Sequence, residues 1–307
     1  MIKDLAEGNR IKIQAIVGSI SRGVNATGSP YLNVELRDSS GSIAGKKWEV
    51  EEKDNDIFVV GNIVEIGMEV IKYRDSLQAK ILSARKLEAE EVDVTKFVKA
   101  PPIPKSEIKA RFEKLVNSIK NPDCKALLDH FINKYQDKLY DSPAASNVHH
   151  EYSSGLLHHS TSLGEICDYL ASYYNDIDRD LLVTGALLHD FGKMTELEGP
   201  AVYHYTVEGK LLGHISIMCS ELREASQKLG ITSEVPVLLE HMILSHHGQY
   251  EFGSPVLPLT REALLLSLVD QLDSRMVILD KAYEGVKPGE FTQKIYPLDN
   301  RSFYKKK

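Results

Sequence analysis

The sequence predicts a multidomain β + α protein, in which a small β-barrel is followed by an all-α domain. Three observations support this prediction. The chain has 307 residues, enough for roughly two domains. Five short apolar segments with strand-like alternation fall within residues 1–88, and apolar residues recur at helical spacing from residue 106 to about residue 282. Between them, residues 89–105 contain three prolines and predict a linker.

The first 88 residues alternate between strand-like segments and turn signals. A polar, glycine-containing stretch at residues 19–30 is expected to form a loop, and a turn is expected near residue 40. Five short strands in so few residues favour a small closed barrel, whose arrangement resembles an OB-fold. The expected strands are residues 11–17, 31–37, 43–50, 63–71 and 78–87.

OB-folds bind single strands by stacking bases on aromatic side chains, with lysine and arginine along the backbone path. A barrel also needs aromatic core residues, and that interpretation applies most directly to Trp48 and Phe58. Tyr31 and Tyr73 lie at strand ends, where exposure is expected. The candidate strand-binding residues are Tyr31, Trp48, Tyr73, Arg37, Lys46 and Lys47.

The composition is that of an ordinary globular protein, 42% hydrophobic and 26% charged. A net charge of −7 argues against coating nucleic acid by bulk electrostatics, but it is compatible with carboxylates that hold cations for a phosphate ester. No apolar run approaches membrane-spanning length, and the first residues do not read as a signal peptide. The three cysteines are far apart and indicate a reduced, cytoplasmic protein.

The second part of the chain reads as helical throughout. Residues 106–145 are expected to form a helical connector with Ser106 as the first N-cap, and residues 146–285 the all-α domain. Residues 286–307 are expected to be a tail that ends in the frayed segment 305–307.

The most informative stretch of the helical domain is residues 186–193. An apolar run ends in His189-Asp190, and Gly192 and Lys193 read as the stop signal and a cation beyond the helix end. Polar groups at a buried helix end are costly unless they are engaged. A divalent metal is the simplest partner, although a lone His-Asp pair more often has a structural role.

Other histidines in the chain favour a metal site over a structural role. His130, His204 and His241 need no more than a structural explanation, but five separate segments place His or Asp at an apolar boundary. Imidazoles and aspartates that reach one place would bind one or two divalent ions, and Mn, Fe, Zn, Co or Ni suits them better than Ca. The residues of these segments are His149, His150, His158, His159, His189, Asp190, His214, His246, His247 and Asp270.

The pattern His…His-Asp…Asp on helices resembles the HD-domain metal-dependent phosphohydrolases, and the additional histidines resemble the two-metal members. A predicted barrel precedes these helices. This domain order, together with the sequences of residues 155–160 and 244–255, looks like that of the YhaM-type 3′-5′ exoribonucleases of Gram-positive bacteria.

The resemblance implies an active site with two metal ions, most directly Mn²⁺, with Fe, Co, Zn and Ni as alternatives. His159, His189, Asp190 and Asp270 would hold one ion, and His214, His246 and His247, with Asp190 as a bridge, the other. Asp190 and Lys193 are the implied catalytic residues, because two metals can clamp a phosphate and activate water while a cation neutralises phosphate oxygen. Asp273, His150 and Arg275 are weaker candidates, Asp273 for supporting the metal ligands and the other two for contacting phosphate.

The implied activity is degradation of single-stranded RNA, and also single-stranded DNA, to nucleoside 5′-monophosphates. Two other functions stay open. The histidine cluster also suits an HD phosphodiesterase acting on a cyclic dinucleotide, and the barrel suits a non-catalytic single-strand-binding protein. The sequence leaves the oligomeric state and the metal undecided.

Overall fold

The computed structural model describes residues 1–25, 27–74, 76–93, 97, 102–140, 142, 154–199 and 203–307. It divides into two compact units, Met1–Ala100 with Gly199–His204, and Pro101–Glu198 with Tyr205–Lys307. Each unit has its own hydrophobic core. The boundary after residue 100 falls within the predicted linker, residues 89–105.

The first unit contains a closed five-stranded barrel with the order β1-β2-β3-β5-β4. Strand β3 runs parallel to β5, and the other neighbours are antiparallel. Alternate side chains of the strands fill the interior, where Leu36, Ile66 and Met68 are fully buried. The predicted OB-like barrel is therefore confirmed. Its strands are β1 (Arg10–Val24), β2 (Pro30–Asp38), β3 (Gly41–Trp48), β4 (Ile63–Tyr73) and β5 (Ser76–Lys86).

Two details of the barrel differ from the prediction. Strand β1 continues to Val24, so the expected loop at residues 19–30 is wrong for its first half. Residues 19–24 pair with residues 30–35 of β2 beyond a bulge after Val17. Their polar side chains face solvent, where a strand does not need apolar residues. A four-residue helix, α1 (Asp54–Ile57), follows β3, and the sequence analysis did not anticipate it.

The second unit is built from helices. A small β-ribbon is formed by β6 (Leu197–Glu198) and β7 (His204–Tyr205). No helix in the described ranges combines the length and apolar character needed to cross a bilayer. The helices are α2 (Lys105–Ser118), α3 (Pro122–Lys134), α4 (Gln136–Leu139), α5 (Gly155–Tyr173), α6 (Arg179–Leu188), α7 (Lys193–Glu196), α8 (Val207–Lys228), α9 (Val235–Ser245) and α10 (Arg261–Tyr283).

Two predictions about helix and chain ends are wrong. Helix α2 begins at Lys105 with Pro104 at its N-cap position, so Ser106 lies inside the helix. Pro104 has the extended backbone that a cap needs, and its carbonyl accepts the N–H of Ile108. Lys305 is not frayed, because its Nζ donates to the carbonyls of Tyr283 and Val286 at 3.0 and 2.8 Å.

Candidate metal centre

Helices of the second unit bring the predicted imidazoles and aspartates together. The side chains lie on five different helices or just beyond their ends, which explains the wide spacing of these residues along the sequence. His159 is on α5, His189 and Asp190 follow α6, His214 is on α8, His246 and His247 follow α9, and Asp270 is on α10.

One group of side chains consists of His159, His189 and Asp190, whose ligand atoms all lie within 4.8 Å of one another. The Oδ2 atom of Asp190 is 3.2 Å from Nε2 of His189 and 3.7 Å from Nε2 of His159. Asp270 adds Oδ1 at 3.2 Å from Nε2 of His159 and 4.0 Å from Nε2 of His189. Two imidazoles and two carboxylates thus point at one location.

A second group consists of His214, His246 and His247, with ligand atoms within the same 4.8 Å limit. The other oxygen of Asp190, Oδ1, lies 3.4 Å from Nε2 of His214 and 3.7 Å from Nε2 of His246. Asp190 therefore faces both groups, one with each carboxylate oxygen.

Backbone carbonyls hold three of the imidazole rings. A carbonyl oxygen can only accept a hydrogen bond, so Nδ1 of each ring carries the proton and Nε2 keeps its lone pair for a metal. Nδ1 of His189 donates to Ala186 O at 2.9 Å, Nδ1 of His246 to Ile243 O at 2.7 Å and Nδ1 of His247 to Phe252 O at 2.7 Å.

Carboxylates hold the other two rings in the same way. Nδ1 of His159 lies 2.8 Å from Oδ2 of Asp273, and Nδ1 of His214 lies 3.3 Å from Oε1 of Glu196. Glu196 also accepts the backbone N–H of His214 at 3.0 Å. Asp273 was a candidate from the sequence, whereas Glu196 was not, because its only signal was an acidic side chain three residues after Lys193, beside the apolar Leu197.

Two glycines allow the helices to approach at the site. Gly213 has φ +71° and kinks α8 directly before His214, a backbone conformation that favours glycine. Gly192 is not the helix stop that was predicted, since α6 ends at Leu188 and Gly192 has helical angles. A Cβ atom at Gly192 would lie 2.2 Å from the carbonyl oxygen of His214, so its role is close packing of the two segments.

Lys193 forms the closest charged contact of the centre. Its Nζ donates to Oδ2 of Asp190 at 2.6 Å. Burial by itself would raise the pKa of Asp190, but the Lys193 ammonium and His189 hold it well below its usual value. Burial likewise opposes the charge of Lys193, and the Asp190 carboxylate more than compensates, so the pKa of Lys193 is raised. The pair is therefore ionised.

The polar atoms at the centre fit a bound cation. Four buried side-chain atoms of the centre have no hydrogen-bond partner among the described residues, and all four are of the kinds that coordinate metals. Burial, with His247 alongside, also depresses the pKa of His246, which keeps that imidazole neutral as a ligand must be. The four atoms are Nε2 of His189, Nε2 of His214, Nε2 of His246 and Oδ1 of Asp190.

The raised pKa of His159 shows that negative charge predominates in the first group. Burial opposes its protonation, but hydrogen bonds to Asp270 and Asp273 raise its pKa to about 10. The surroundings of this ring are thus strongly negative. A cation among these carboxylates would compensate that charge.

The barrel presents an aromatic pair with a lysine. Tyr31 and Trp48 are cross-strand partners whose ring centroids are 4.9 Å apart. Nζ of Lys46 lies 4.6 Å from the Tyr31 centroid and 5.3 Å from that of Trp48. Trp48 is 38% exposed, whereas Phe58 is buried in the core. Gly23 of β1 makes room for the Tyr31 ring, because a Cβ atom there would lie 2.4 Å from it.

The remaining candidate residues of the barrel fall into two kinds. Tyr73 is 53% exposed, and the Arg74 guanidinium lies 5.4 Å from its ring centroid. Arg37 and Lys47 are engaged within the barrel. Arg37 donates to Glu35 at 2.8 Å, and Lys47 lies 3.6 Å from the buried Asp54 carboxylate and donates to backbone carbonyls.

Two weaker candidates for phosphate contact remain. Nitrogen Nη1 of Arg275 lies 3.8 Å from Oδ2 of Asp299, so this guanidinium is partly neutralised. His149 and His150 lie outside the described residues.

Comparison with known proteins agrees with this geometry. Residues 156–275 match the family model described as HD domain, so the second unit is of the HD-domain class. The chain is 40% identical over 299 residues to the 3′-5′ exoribonuclease YhaM of Geobacillus sp. (strain WCH70), covering 97% of this chain and 92% of the relative. It is equally similar, at 40%, to YhaM of Bacillus subtilis (strain 168), covering 97% and 95%. The chain belongs to the YhaM 3′-5′ exoribonuclease family.

A solved structure, the second OB-fold domain of replication protein A from Methanococcus maripaludis, is 22% identical. It covers 29% of this chain and 93% of its own, with a TM-score of 0.25.

Proposed function

We propose that this chain is a metal-dependent 3′-5′ exoribonuclease that degrades single-stranded RNA, and also single-stranded DNA, to nucleoside 5′-monophosphates in the cytoplasm. The observation that carries the proposal is the convergence of four imidazoles on the two oxygens of Asp190 and on Asp270, with a fifth, that of His247, beside two of them. Near-full-length similarity to named exoribonucleases supports the reaction and the substrate.

We assign two divalent ions to the centre, with Mn²⁺ as the principal ion and Fe, Co, Zn and Ni as alternatives. His159, His189, Asp190 and Asp270 would hold one ion. His214, His246 and His247 would hold the other, and Asp190 would serve both because each of its oxygens faces one group. When bound, such ions supply positive charge for the phosphate and make water acidic enough to be deprotonated near neutral pH.

The protein groups around the ions have separate tasks. Asp273 and Glu196 orient the rings of His159 and His214, which fixes the direction of each Nε2 lone pair. Lys193 keeps Asp190 ionised and supplies a fixed positive charge close to the position that a substrate phosphate would occupy. We therefore assign catalytic roles to Asp190 and Lys193.

In the barrel we assign strand binding to the exposed Trp48 and Tyr73 and to the half-buried Tyr31. Tyr31, Trp48 and Tyr73 offer ring faces for base stacking, and Lys46 offers an ammonium for the backbone. Arg37 and Lys47 are assigned a lesser part, because carboxylates and carbonyls within the barrel already engage them.

A gel assay tests the proposal. Purified protein with Mn²⁺ is incubated with 5′-labelled single-stranded RNA, and separately with a cyclic dinucleotide. We expect a descending ladder that begins at full length, with mononucleotides as products. Turnover of only the cyclic dinucleotide would indicate the small-nucleotide phosphodiesterase instead, and binding without turnover would indicate a non-catalytic binding protein.

The Asp190→Ala variant sharpens the same test. It removes the carboxylate shared by both groups, so hydrolysis should be abolished while RNA binding, measured by filter retention, survives. Asp129→Ala, which changes an exposed carboxylate on α3, is the matched control and should retain full activity. Full hydrolysis by Asp190→Ala would refute the metal assignment.

A further inference from the structure

Residues 286–307 of the second unit form an ordered, basic and aromatic segment. Its side chains include six lysines or arginines and two acidic residues, a formal charge of +4 in a chain whose net charge is −7. Phe291 and Tyr304 are paired across an antiparallel bridge, with ring centroids 5.2 Å apart. The segment formed by this pairing, residues 289–306, is called the 289–306 hairpin below.

Backbone and side-chain contacts hold the hairpin in place. The N–H of Gly289 donates to Lys305 O at 2.7 Å, that of Lys305 to Glu290 O at 2.9 Å and that of Thr292 to Phe303 O at 2.9 Å. Lys305 also ties the hairpin to the end of α10 through the carbonyls of Tyr283 and Val286. The surface is therefore a folded one.

The two faces of the hairpin differ. Successive residues of an extended strand point to opposite faces, so Lys306 shares a face with Tyr304 and Phe291, while Thr292 and Lys305 lie on the other. Thr292 is buried and Lys305 packs on α10, which identifies the inner face. On the outer face Phe291 is 66% exposed and Tyr304 is 46% exposed. Two large rings thus face solvent beside a lysine.

The charges on the outer face are available to a ligand. Asp299 is neutralised by Arg301 at 2.9 Å and Arg275 at 3.8 Å, so it does not offset the lysines. Lys306, on this face, forms no ion pair within the described part of the chain. Exposed rings combined with an unpaired lysine are the composition of a surface that stacks bases and follows a phosphate backbone.

We propose that the outer face of the 289–306 hairpin is a single-stranded RNA-binding surface, additional to the barrel. Phe291 and Tyr304 stack on bases, and Lys306 contacts a phosphate. The hairpin belongs to the same unit as the candidate metal centre, and α10 links them, because it carries Asp270 and ends where Lys305 is anchored. The inference takes its ligand from the proposed function, but the surface can be tested without any catalysis.

The test is equilibrium binding of a fluorescently labelled single-stranded RNA of about 20 nucleotides to the full chain, in EDTA so that no hydrolysis occurs. Phe291→Ala and Tyr304→Ala should each weaken binding by about tenfold, the effect of losing one stacked base. Lys306→Gln should reduce the slope of log affinity against log salt by about 0.7. Tyr169→Ala, a ring on α5 with 67% exposure, and Lys114→Gln on α2 are matched controls without effect.

Two results would overturn the inference. One is that all three variants bind the RNA with an affinity and a salt slope within twofold of those of the unmodified chain, while their thermal unfolding is unchanged. The other is a change of mass in sedimentation without a change in RNA binding, which would make this face a protein interface. Failure of the exonuclease proposal is distinguishable, because it would appear as lack of hydrolysis with Mn²⁺ while the binding result in EDTA stands.

Discussion

Glu196 offers a direct test of how the second group of ligands is built. Its Oε1 atom accepts both the backbone N–H of His214 at 3.0 Å and the ring Nδ1–H at 3.3 Å. Glu196→Ala removes both contacts directly after the kink at Gly213. Glu196→Gln removes the charge but keeps an oxygen that can accept both hydrogens.

The size of the effect follows from what these contacts do. Loss of a residue that orients a metal-bound imidazole typically costs about 10- to 100-fold in metal affinity, or ~1.4–2.8 kcal/mol. Only His214 depends on Glu196, so Glu196→Ala should weaken one of two Mn²⁺-binding steps by about this factor. The step assigned to His159, His189 and Asp270 should keep its affinity. Glu196→Gln should fall between Glu196→Ala and the unmodified chain, since a neutral acceptor forms a weaker hydrogen bond.

Isothermal titration calorimetry with Mn²⁺ resolves the two steps. Glu208→Ala, which alters an exposed glutamate on α8, is the matched control and should leave both steps unchanged. The reasoning is refuted if both steps weaken equally, or if Glu196→Ala binds two ions as tightly as the unmodified chain.

Three further predictions follow from the structure. Trp48→Ala should weaken binding of a long RNA by about 5- to 100-fold through loss of base stacking, while hydrolysis of bis(p-nitrophenyl) phosphate stays unchanged; equal losses on both substrates would contradict a role in strand binding. Gly192→Ala should lower the free energy of unfolding by ~1–3 kcal/mol and weaken Mn²⁺ binding, because its Cβ atom would lie 2.2 Å from His214 O; unchanged denaturant midpoint and affinity would count against this packing role. Asp180→Asn should cost ~1–3 kcal/mol at neutral pH, because Asp180 accepts the N–H groups of Lys120 and Asn121 at 2.7 Å each. Burial raises the pKa of Asp180, but Arg179 and these N–H groups outweigh burial and lower it, so the stabilisation is present above the unfolded-state pKa and is lost as pH falls through the folded-state value. Urea titrations at several pH values measure this loss, with Asp129→Asn as the control. A deficit in Asp180→Asn that persists in acid would be inconsistent with this account.

The sequence singled out the imidazoles of the centre because they lie at the boundaries of apolar segments. His189 and His246 follow the ends of buried helices, and a polar ring in such a position needs a partner. Residue type and local pattern were therefore sufficient to select these candidate residues. The same reasoning located Asp270, a carboxylate inside an apolar helix.

The orienting contacts could not be read in the same way. Glu196 meets His214 because α7 packs against the kinked start of α8, a long-range contact that no local pattern encodes. Gly192 shows the same limit, because its function depends on the carbonyl of His214, 22 residues away in sequence. Lys193 was expected to meet phosphate or helix carbonyls, and its contact with Asp190 emerged only in the fold.

The barrel illustrates a different limit. Its five strands were predicted from alternation, which fails where a strand is mostly exposed to solvent. Residues 19–24 of β1 pair with β2, and of their side chains Ile20 packs against the core while the polar ones face solvent, so this segment resembled a loop. The pairing of the half-buried Tyr31 with the exposed Trp48 likewise depends on cross-strand register, which alternation alone does not determine.

The position of Asp190 between the two groups has an electrostatic consequence. With Asp270, Asp273, Glu196 and Lys193, it gives the metal-free centre a formal charge of −3 when the imidazoles are neutral, or −2 when His159, whose pKa is raised, is protonated. Two divalent ions would reverse that sign. The empty centre would repel the phosphate at an RNA 3′ end, and the loaded centre would attract it. Metal occupancy would then decide when the end of a strand enters, while more distant surfaces hold the rest of the RNA in either state.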